Sequence, residues 1–112
     1  MIDQIPAGVR RQITAIAIDG TSGTVLLCDR NHTPLTKPLL YNDARGGVPT
    51  VAPTNSPAYS ATSSLAKVLW WQTNLPTPIL TEVRYLVHQA DWLSSLLHGK
   101  PGITDYNNAL KL

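Results

Sequence analysis

The chain lacks phenylalanine altogether and contains only one cysteine among its 112 residues. A single cysteine excludes a disulfide bond within the chain. The apolar run VLLC around Cys28 predicts a small buried hydrophobic residue, with a reactive thiol as the alternative. The three histidines, His32, His88 and His98, lie far apart and have neither a neighbouring cysteine nor the HExxH-type spacing of a metal site. The sequence therefore predicts neither a disulfide nor a bound metal ion.

Long hydrophobic runs are also missing. No uninterrupted apolar stretch approaches the roughly 20 residues of a membrane span, and the N-terminus MIDQIPAGVRRQ lacks the apolar core of a signal peptide. Charged residues make up only 14% of the chain, the net charge is +2, and the lysines and arginines are scattered. Nucleic-acid binding usually shows a basic patch. We therefore expect a cytoplasmic protein with no membrane or nucleic-acid partner.

What the chain does contain is 43% hydrophobic residues, enough for one small domain with a modest core. Its most informative part is residues 13–45. Residues 13–18, ITAIAI, are apolar on both faces and predict a strand covered on both sides. Two glycines within residues 19–23 permit positive φ angles and a close approach to a ligand. Residues 24–29 predict a second strand antiparallel to the first, and the proline-rich residues 46–57 predict an irregular connection.

Near-helical spacing of apolar residues predicts a helix from about residue 60 to residue 73. The run Thr-Ser-Ser before Leu65 supplies its N-cap candidates. Lys67 lies among apolar residues and is expected to extend its ammonium group to solvent. The adjacent Trp70 and Trp71 are predicted to pack in the core, with stacking on a sugar as the alternative.

A second helix is predicted from about residue 80 to residue 98, because its apolar residues share one face, and Gly99 is a typical C-terminal signal. On this helix His88 and Asp91 lie one turn apart, and a hydrogen bond between them is favoured over acid–base catalysis. Asp105 is predicted to cap a last helical turn. The apolar, uncapped ending favours a chain that continues.

Four segments of the chain, taken together, resemble the FGGY family of carbohydrate kinases. In family order they are AIAIDGTSGTVLLCD, LLYNDAR, SATSSLAKVLWW and HQADWLSSLLHGKPGITDYNNALKL. The first is similar to the strand–turn–strand that lines the sugar pocket, and the second to an aromatic-x-Asp-x-Arg element. The third is similar to a lysine-containing helix, and the fourth to a helix, glycine turn and Thr-Asp-x-x-Asn-Ala segment. The amino-acid sequences of these segments are most similar to the D-ribulose and xylulose kinase branch of cyanobacteria and plants.

This resemblance implies an α/β fold, a mixed sheet with flanking helices that is part of an actin-like, ribonuclease-H-like ATPase domain. It also implies that residues 1–112 are an incomplete N-terminal, sugar-side domain without the opening phosphate-loop hairpin or the C-terminal domain. The complete enzyme would transfer the γ-phosphoryl group of ATP, with Mg²⁺, to a pentulose hydroxyl. Asp19-Gly20-Thr21 has the wrong spacing for the family's phosphate loop. We therefore expect the isolated chain to be inactive and to bind neither ATP nor Mg²⁺.

The resemblance also implies which residues bind the sugar. Ser22 and Gly23 match turn positions that face the sugar, and Thr21 adjoins them. Asp43 and Arg45 either contact the ligand or form an ion pair that fixes their loop, since side chains at i and i+2 share a face of an extended segment. These five residues are the predicted substrate site, and no catalytic residue is expected among them.

Two other interpretations stay open at the level of sequence. One is a non-catalytic module that binds a small polyol, or that associates with a partner or with itself through exposed strand edges. The other is the product of a degraded gene with marginal stability. A cooperative thermal transition would argue against the last of these.

Overall fold

Strand β1 (Val25–Cys28) is the centre of the structure, a computed structural model that describes residues 2–112. All four of its residues are buried. It pairs antiparallel with β2 (Tyr85–His88), so that Val25 lies opposite His88 and Cys28 lies opposite Tyr85. Together with the flanking helices, this two-stranded sheet forms a small mixed α/β domain.

The other edge of β1 is covered by the segment that follows it. Val25 and Leu39 exchange backbone hydrogen bonds of 3.0 and 2.9 Å, and the Leu35 amide donates to the Leu27 carbonyl at 2.8 Å. The turn between them is fixed by the Asp29 carboxylate. Because β1 has backbone partners on both edges, its apolar run lies at the centre of the sheet.

Helices surround this sheet, and their ends follow local rules. The helix at Ser64–Asn74 begins after Ser63, whose hydroxyl accepts a hydrogen bond from the Ala66 amide at 3.1 Å, as a capping serine does. The last long helix ends at Gly99 with a φ of 72°, a left-handed conformation that favours glycine. The helical segments are a 3₁₀ turn at Ile2–Gln4, then α1 (Ala7–Arg10), α2 (Ser64–Asn74), α3 (Thr77–Glu82), α4 (Gln89–His98) and α5 (Tyr106–Ala109). In the described chain, none of them is long and apolar enough to cross a bilayer.

The core lies on both faces of β1, because successive strand residues point in opposite directions. One face packs Val25 and Leu27 against Trp71 of α2, and the other packs Leu26 and Cys28 against β2. The predictions of a buried Cys28 and a core Trp71 are confirmed. Burial raises the pKa of the Cys28 thiol to about 11, which makes it a poor nucleophile.

The predicted strand at residues 13–18 is wrong. These residues form no helix, strand, turn or bend, and all but Ile18 are exposed. A strand needs a backbone partner, and the expected neighbour, β1, pairs instead with β2 and with the segment around Leu39. The apolar residues on both faces suggested a buried strand. The described chain, however, contains no neighbouring strand that pairs with this segment.

The single predicted helix over residues 80–98 is also wrong in its first half. Residues 85–88 form β2, and only the part after them is helical. The Arg84 amide donates to the Cys28 carbonyl and the Gln89 amide to the Thr24 carbonyl, so pairing with β1 extends beyond both ends of the strand. Backbone pairing with a buried strand has overridden the helical spacing of the side chains.

Candidate functional site

The turn between residues 20 and 24 is the centre of the candidate site. Gly23 has a φ of 84°, a value that side chains rarely tolerate, and it is buried. The Thr24 amide donates to the Thr21 carbonyl at 3.2 Å and closes the turn. Thr21 and Ser22 are exposed. The turn thus presents two hydroxyl groups to solvent while its glycine faces the interior.

The buried side chain of Lys67 forms hydrogen bonds with this turn. Its ammonium group donates to the Gly23 carbonyl at 2.7 Å and to the Thr62 carbonyl at 2.8 Å, and the residue is 1% exposed. The expectation that Lys67 reaches solvent is therefore wrong, because two backbone carbonyls provide the acceptors that water would otherwise supply. Burial lowers the pKa of Lys67, and the nearby Asp43 charge opposes that shift.

A second set of hydrogen bonds ties the turn to the C-terminal segment. The Ser22 hydroxyl donates to the Asn108 side-chain oxygen at 2.9 Å, and the Asn108 side-chain amide donates to Asp105 at 2.8 Å. Asp105 also accepts from the Asn108 backbone amide, which confirms it as the cap of α5. Ser22 is thus oriented by a buried asparagine, which leaves its hydroxyl in a fixed position at the surface.

Asp43 and Arg45 form an ion pair with two contacts. Arg45 Nη2 lies 2.7 Å from Asp43 Oδ2, and Nε donates to Oδ1 at 2.9 Å. The guanidinium group stacks over the Trp70 ring, 4.8 Å from its centroid. The hydrogen bond from Arg45 is the main reason that the pKa of Asp43 is lowered, and the charge of Lys67 adds to it. The pair thereby fixes its own loop, and contact with a ligand stays a prediction.

Gly46 lets this loop lie directly on α2. A Cβ atom at this position would collide with the carbonyl oxygen of Ala66 and would come within 3.3 Å of the Trp70 Cβ. The close approach places the Asp43–Arg45 pair beside the helix that carries Lys67. The need for glycine is steric here, since no other residue lacks the Cβ atom.

The structure therefore arranges the five predicted residues in two adjoining groups. Thr21, Ser22 and Gly23 form the turn, and the Asp43–Arg45 pair lies on the loop against α2. Lys67 connects the groups, since it bonds to Gly23 and its charge acts on Asp43. Sequence reasoning missed Lys67 as part of the site, although a lone lysine in an apolar helical run was a visible signal.

A cavity of about 430 Å³ adjoins the turn on its other side. Thr21 is the one predicted site residue that lines it, together with Tyr41, Gln89 and Trp92 and several apolar side chains. The Tyr41 amide is anchored by the Thr24 hydroxyl at 3.0 Å. The volume is within the range of small-ligand pockets, and the lining is mostly apolar with a few hydroxyl groups.

Two buried residues, Ser64 and His88, and the half-buried Asp91 form a row of polar contacts. The Ser64 hydroxyl is 2.9 Å from His88 Nε2, and His88 Nδ1 is 3.5 Å from Asp91. The predicted contact between His88 and Asp91 is present, although His88 ends β2 rather than lying inside a helix. Ser64 is 0% exposed, so no substrate can reach its hydroxyl and the three residues link α2 to the sheet. Burial lowers the pKa of His88, and Asp91 opposes this shift.

No family model matches this chain.

Proposed function

We propose that this chain is the sugar-binding part of an FGGY-type carbohydrate kinase whose substrate is a pentulose, D-ribulose or D-xylulose. The observation that carries the proposal is that the third and fourth family-like segments both contact the turn of the first. Lys67 of the third segment bonds to Gly23 of the first, and Asn108 of the fourth bonds to Ser22. These contacts join residues 44 and 86 positions apart in sequence. They lie at the turn to which the resemblance assigns sugar binding.

The groups around the turn suit a polyhydroxy ligand. Thr21 presents a hydroxyl that can donate and accept, the Ser22 hydroxyl donates to Asn108 and can still accept, and Asp43 supplies carboxylate oxygens. Arg45 uses Nε and Nη2 for Asp43. Its Nη1 makes no hydrogen bond within residues 2–112, and the side chain is 48% exposed. A sugar hydroxyl or a phosphorylated sugar could accept from this nitrogen without disturbing the ion pair.

Phosphoryl transfer requires a phosphate cradle, a magnesium ion and a base aimed at the attacking hydroxyl. The proposal assigns these parts, and ATP, to the remainder of a complete cytoplasmic enzyme with an actin-like, ribonuclease-H-like fold. The chain by itself then binds sugar and does not phosphorylate it. ATP- and sugar-dependent release of ADP by the purified chain, above a mock preparation, would contradict this part of the proposal.

Calorimetric titration of the chain with D-ribulose and with D-xylulose tests the proposal. Saturable binding of at least one of them is expected, and Arg45→Met should weaken it about tenfold or more, equivalent to about 1.4 kcal/mol. Arg30→Met is the matched control, because Arg30 is exposed and lies beyond the opposite end of β1. Binding that survives Arg45→Met unchanged, or no binding of either sugar, would overturn the assignment.

A second candidate function is a non-catalytic association module. The observation that favours it is the exposed apolar segment at residues 13–18. Such a surface serves a partner and not a sugar, so the two functions are compatible within one chain.

A further inference from the structure

Three side chains in contact fix the direction in which the Ser22 hydroxyl forms its hydrogen bond. An ionised carboxylate has no proton to donate, so Asp105 can only accept. Its Oδ2 accepts a hydrogen bond from the Asn108 side-chain nitrogen at 2.8 Å. The oxygen of the same amide, which can only accept, then faces Ser22 Oγ at 2.9 Å. The Ser22 proton therefore points at Asn108.

The Asn108 amide is held in this orientation. Asp105 Oδ1 accepts from the Asn108 backbone amide at 2.9 Å as the N-cap of α5, which leaves Oδ2 facing the Asn108 side chain. If the side-chain amide were turned over, two acceptors would meet at Asp105. Asn108 is 5% exposed, and an unsatisfied polar group at a buried position is costly. Asp105 therefore sets the order of donors and acceptors as far as Ser22.

The outer side of the Ser22 hydroxyl is consequently an acceptor. A serine hydroxyl carries one proton and two lone pairs. The proton is engaged by Asn108, and within residues 2–112 the hydroxyl makes no other hydrogen bond. Ser22 is exposed, so a ligand at the turn can reach the remaining lone pairs. A ligand group at this place has to donate, whereas a keto oxygen, an ether oxygen or a fluorine would meet lone pairs with lone pairs.

The charges beside the turn restrict the donor to a hydroxyl. Lys67 Nζ lies 2.7 Å from the Gly23 carbonyl oxygen, and Lys111 Nζ would lie 3.8 Å from a Cβ atom added to Gly23. Lys111 forms no ion pair among the described residues. A cationic amine on the ligand would be repelled by these two ammonium groups. A hydroxyl carries no charge, and its own lone pairs suit an ammonium donor.

We infer that Asp105 is a positioning residue which, through Asn108, makes Ser22 a hydrogen-bond acceptor only, so that the turn selects its ligand by a donating hydroxyl. The inference rests on the proposed function, because it concerns the ligand of the same turn, and it adds which kind of group is recognised there. The ligand class is a neutral polyol with a free hydroxyl facing Ser22. Sugars in which that hydroxyl is methylated, oxidised to a carbonyl or replaced by fluorine are excluded.

Calorimetric titration with fluorinated sugars tests the selection. The probes are D-ribulose, D-xylulose and their analogues in which one hydroxyl at a time is replaced by fluorine, which cannot donate. At one position fluorine should weaken binding about threefold to tenfold, and this loss should disappear in Ser22→Ala. Losses that are the same in Ser22→Ala at every position would overturn this inference and leave the proposed function standing. No binding of either parent sugar would overturn both.

Asp105→Asn should reverse the direction of the hydrogen bonds. Asparagine is as good an N-cap as aspartate. With its oxygen on the Asn108 backbone amide, the new side chain places an NH₂ group where Oδ2 was. Asn108 then has to turn its nitrogen toward Ser22, whose proton becomes free to point at the ligand. The loss caused by fluorine at the Ser22 position should therefore vanish in this variant.

Asp29→Asn is the matched control, because Asp29 also accepts from backbone amides but lies beyond the opposite end of β1. It should retain the full loss. The reversal is also visible without sugar, since nuclear Overhauser contacts between the Asn108 side-chain NH₂ protons and the Ser22 β protons should be strong only in Asp105→Asn. Strong contacts in the unaltered chain, or a fluorine loss that persists in Asp105→Asn folded by circular dichroism, would overturn the inference.

Discussion

At the scale of single residues, Lys67 joins more of the structure than any other side chain of the candidate site. Its two acceptors are the carbonyls of Gly23 and Thr62, at the turn and just before α2. Both contacts are shielded from water, and hydrogen bonds from a charged donor are stronger than neutral ones in such surroundings. This ammonium group therefore holds the turn together with the Ser22–Asn108 hydrogen bond.

Replacement of Lys67 by methionine should destabilise the fold by about 2 kcal/mol or more. Methionine retains the apolar stem but leaves the Gly23 carbonyl without its donor, and an unsatisfied buried acceptor is costly. Urea denaturation monitored by circular dichroism measures the loss. Lys100→Met, at an exposed position, is the control and should change the midpoint little. Equal effects of the two substitutions would show that the buried contacts do not stabilise the turn.

The stability of the chain should fall as the pH is lowered through the ordinary His88 pKa of 6.5. Burial lowers the pKa of His88 in the folded chain, so the unfolded chain binds the proton more readily and acid favours unfolding. Asp91 and Asp105 oppose this shift, and Lys111 adds to it. The stabilisation is complete above that pH and decreases below it.

Urea midpoints at about pH 7.5 and about pH 5.5 measure this dependence. His88→Gln should reduce the difference between the two midpoints, whereas His98→Gln, at an exposed position, should leave it intact. A pH dependence that is unchanged in His88→Gln would assign the effect to other groups.

At the scale of elements, features set by neighbouring residues were predictable from the sequence. The buried run VLLC forms β1, Ser63 caps α2, and Gly99 ends α4. Features set by distant partners were not predictable. Strand β2 depends on pairing with a strand some 60 residues earlier, and the segment at residues 13–18 has no partner in the described chain to make it a strand.

The packing of the Asp43–Arg45 loop on α2 should depend on Gly46. Gly46→Ala is expected to destabilise the chain by about 1–3 kcal/mol, because the added Cβ meets the Ala66 carbonyl and one of the two backbones must move. Gly8→Ala is the matched control, since Gly8 lies in α1 with no atom within 4 Å of an added Cβ.

Thermal denaturation of both variants checks this. The control should be neutral or slightly stabilising, since alanine is favoured over glycine in a helix. A Gly46→Ala variant as stable as the unaltered chain would mean that the loop does not rest on α2 as closely as described. The same variant should also weaken sugar binding, because the ion pair moves with the loop.

At the scale of the whole molecule, the chain is open for its size. Its radius of gyration is 16.1 Å, whereas about 13 Å is typical of a domain of this length. Within the described residues the core comprises two small clusters on either side of β1, and residues 2–24 contribute no side chain to either of them. Residues 13–18, which are exposed apart from Ile18, account for part of this openness.

The candidate site shows the same division between local and distant information. Its five residues were proposed from the family resemblance, and their grouping depends on contacts over long separations, 44 residues for Lys67 and Gly23 and 86 for Ser22 and Asn108. Such contacts leave no periodic signal in a single sequence. The one sequence signal for such a contact was a lone lysine, Lys67, in a mostly apolar helical run, and its contact with Gly23 was not predicted.

The most direct test of the central claim is an NMR titration of the ¹⁵N-labelled chain with D-ribulose and D-xylulose. The proposal expects saturable shifts in the amide signals of residues 21–23 and 43–45, with the signals of residues 13–18 unaffected. No shift at high sugar concentration, or shifts confined to residues far from the turn, would contradict the claim that this chain forms the sugar-binding wall of a kinase.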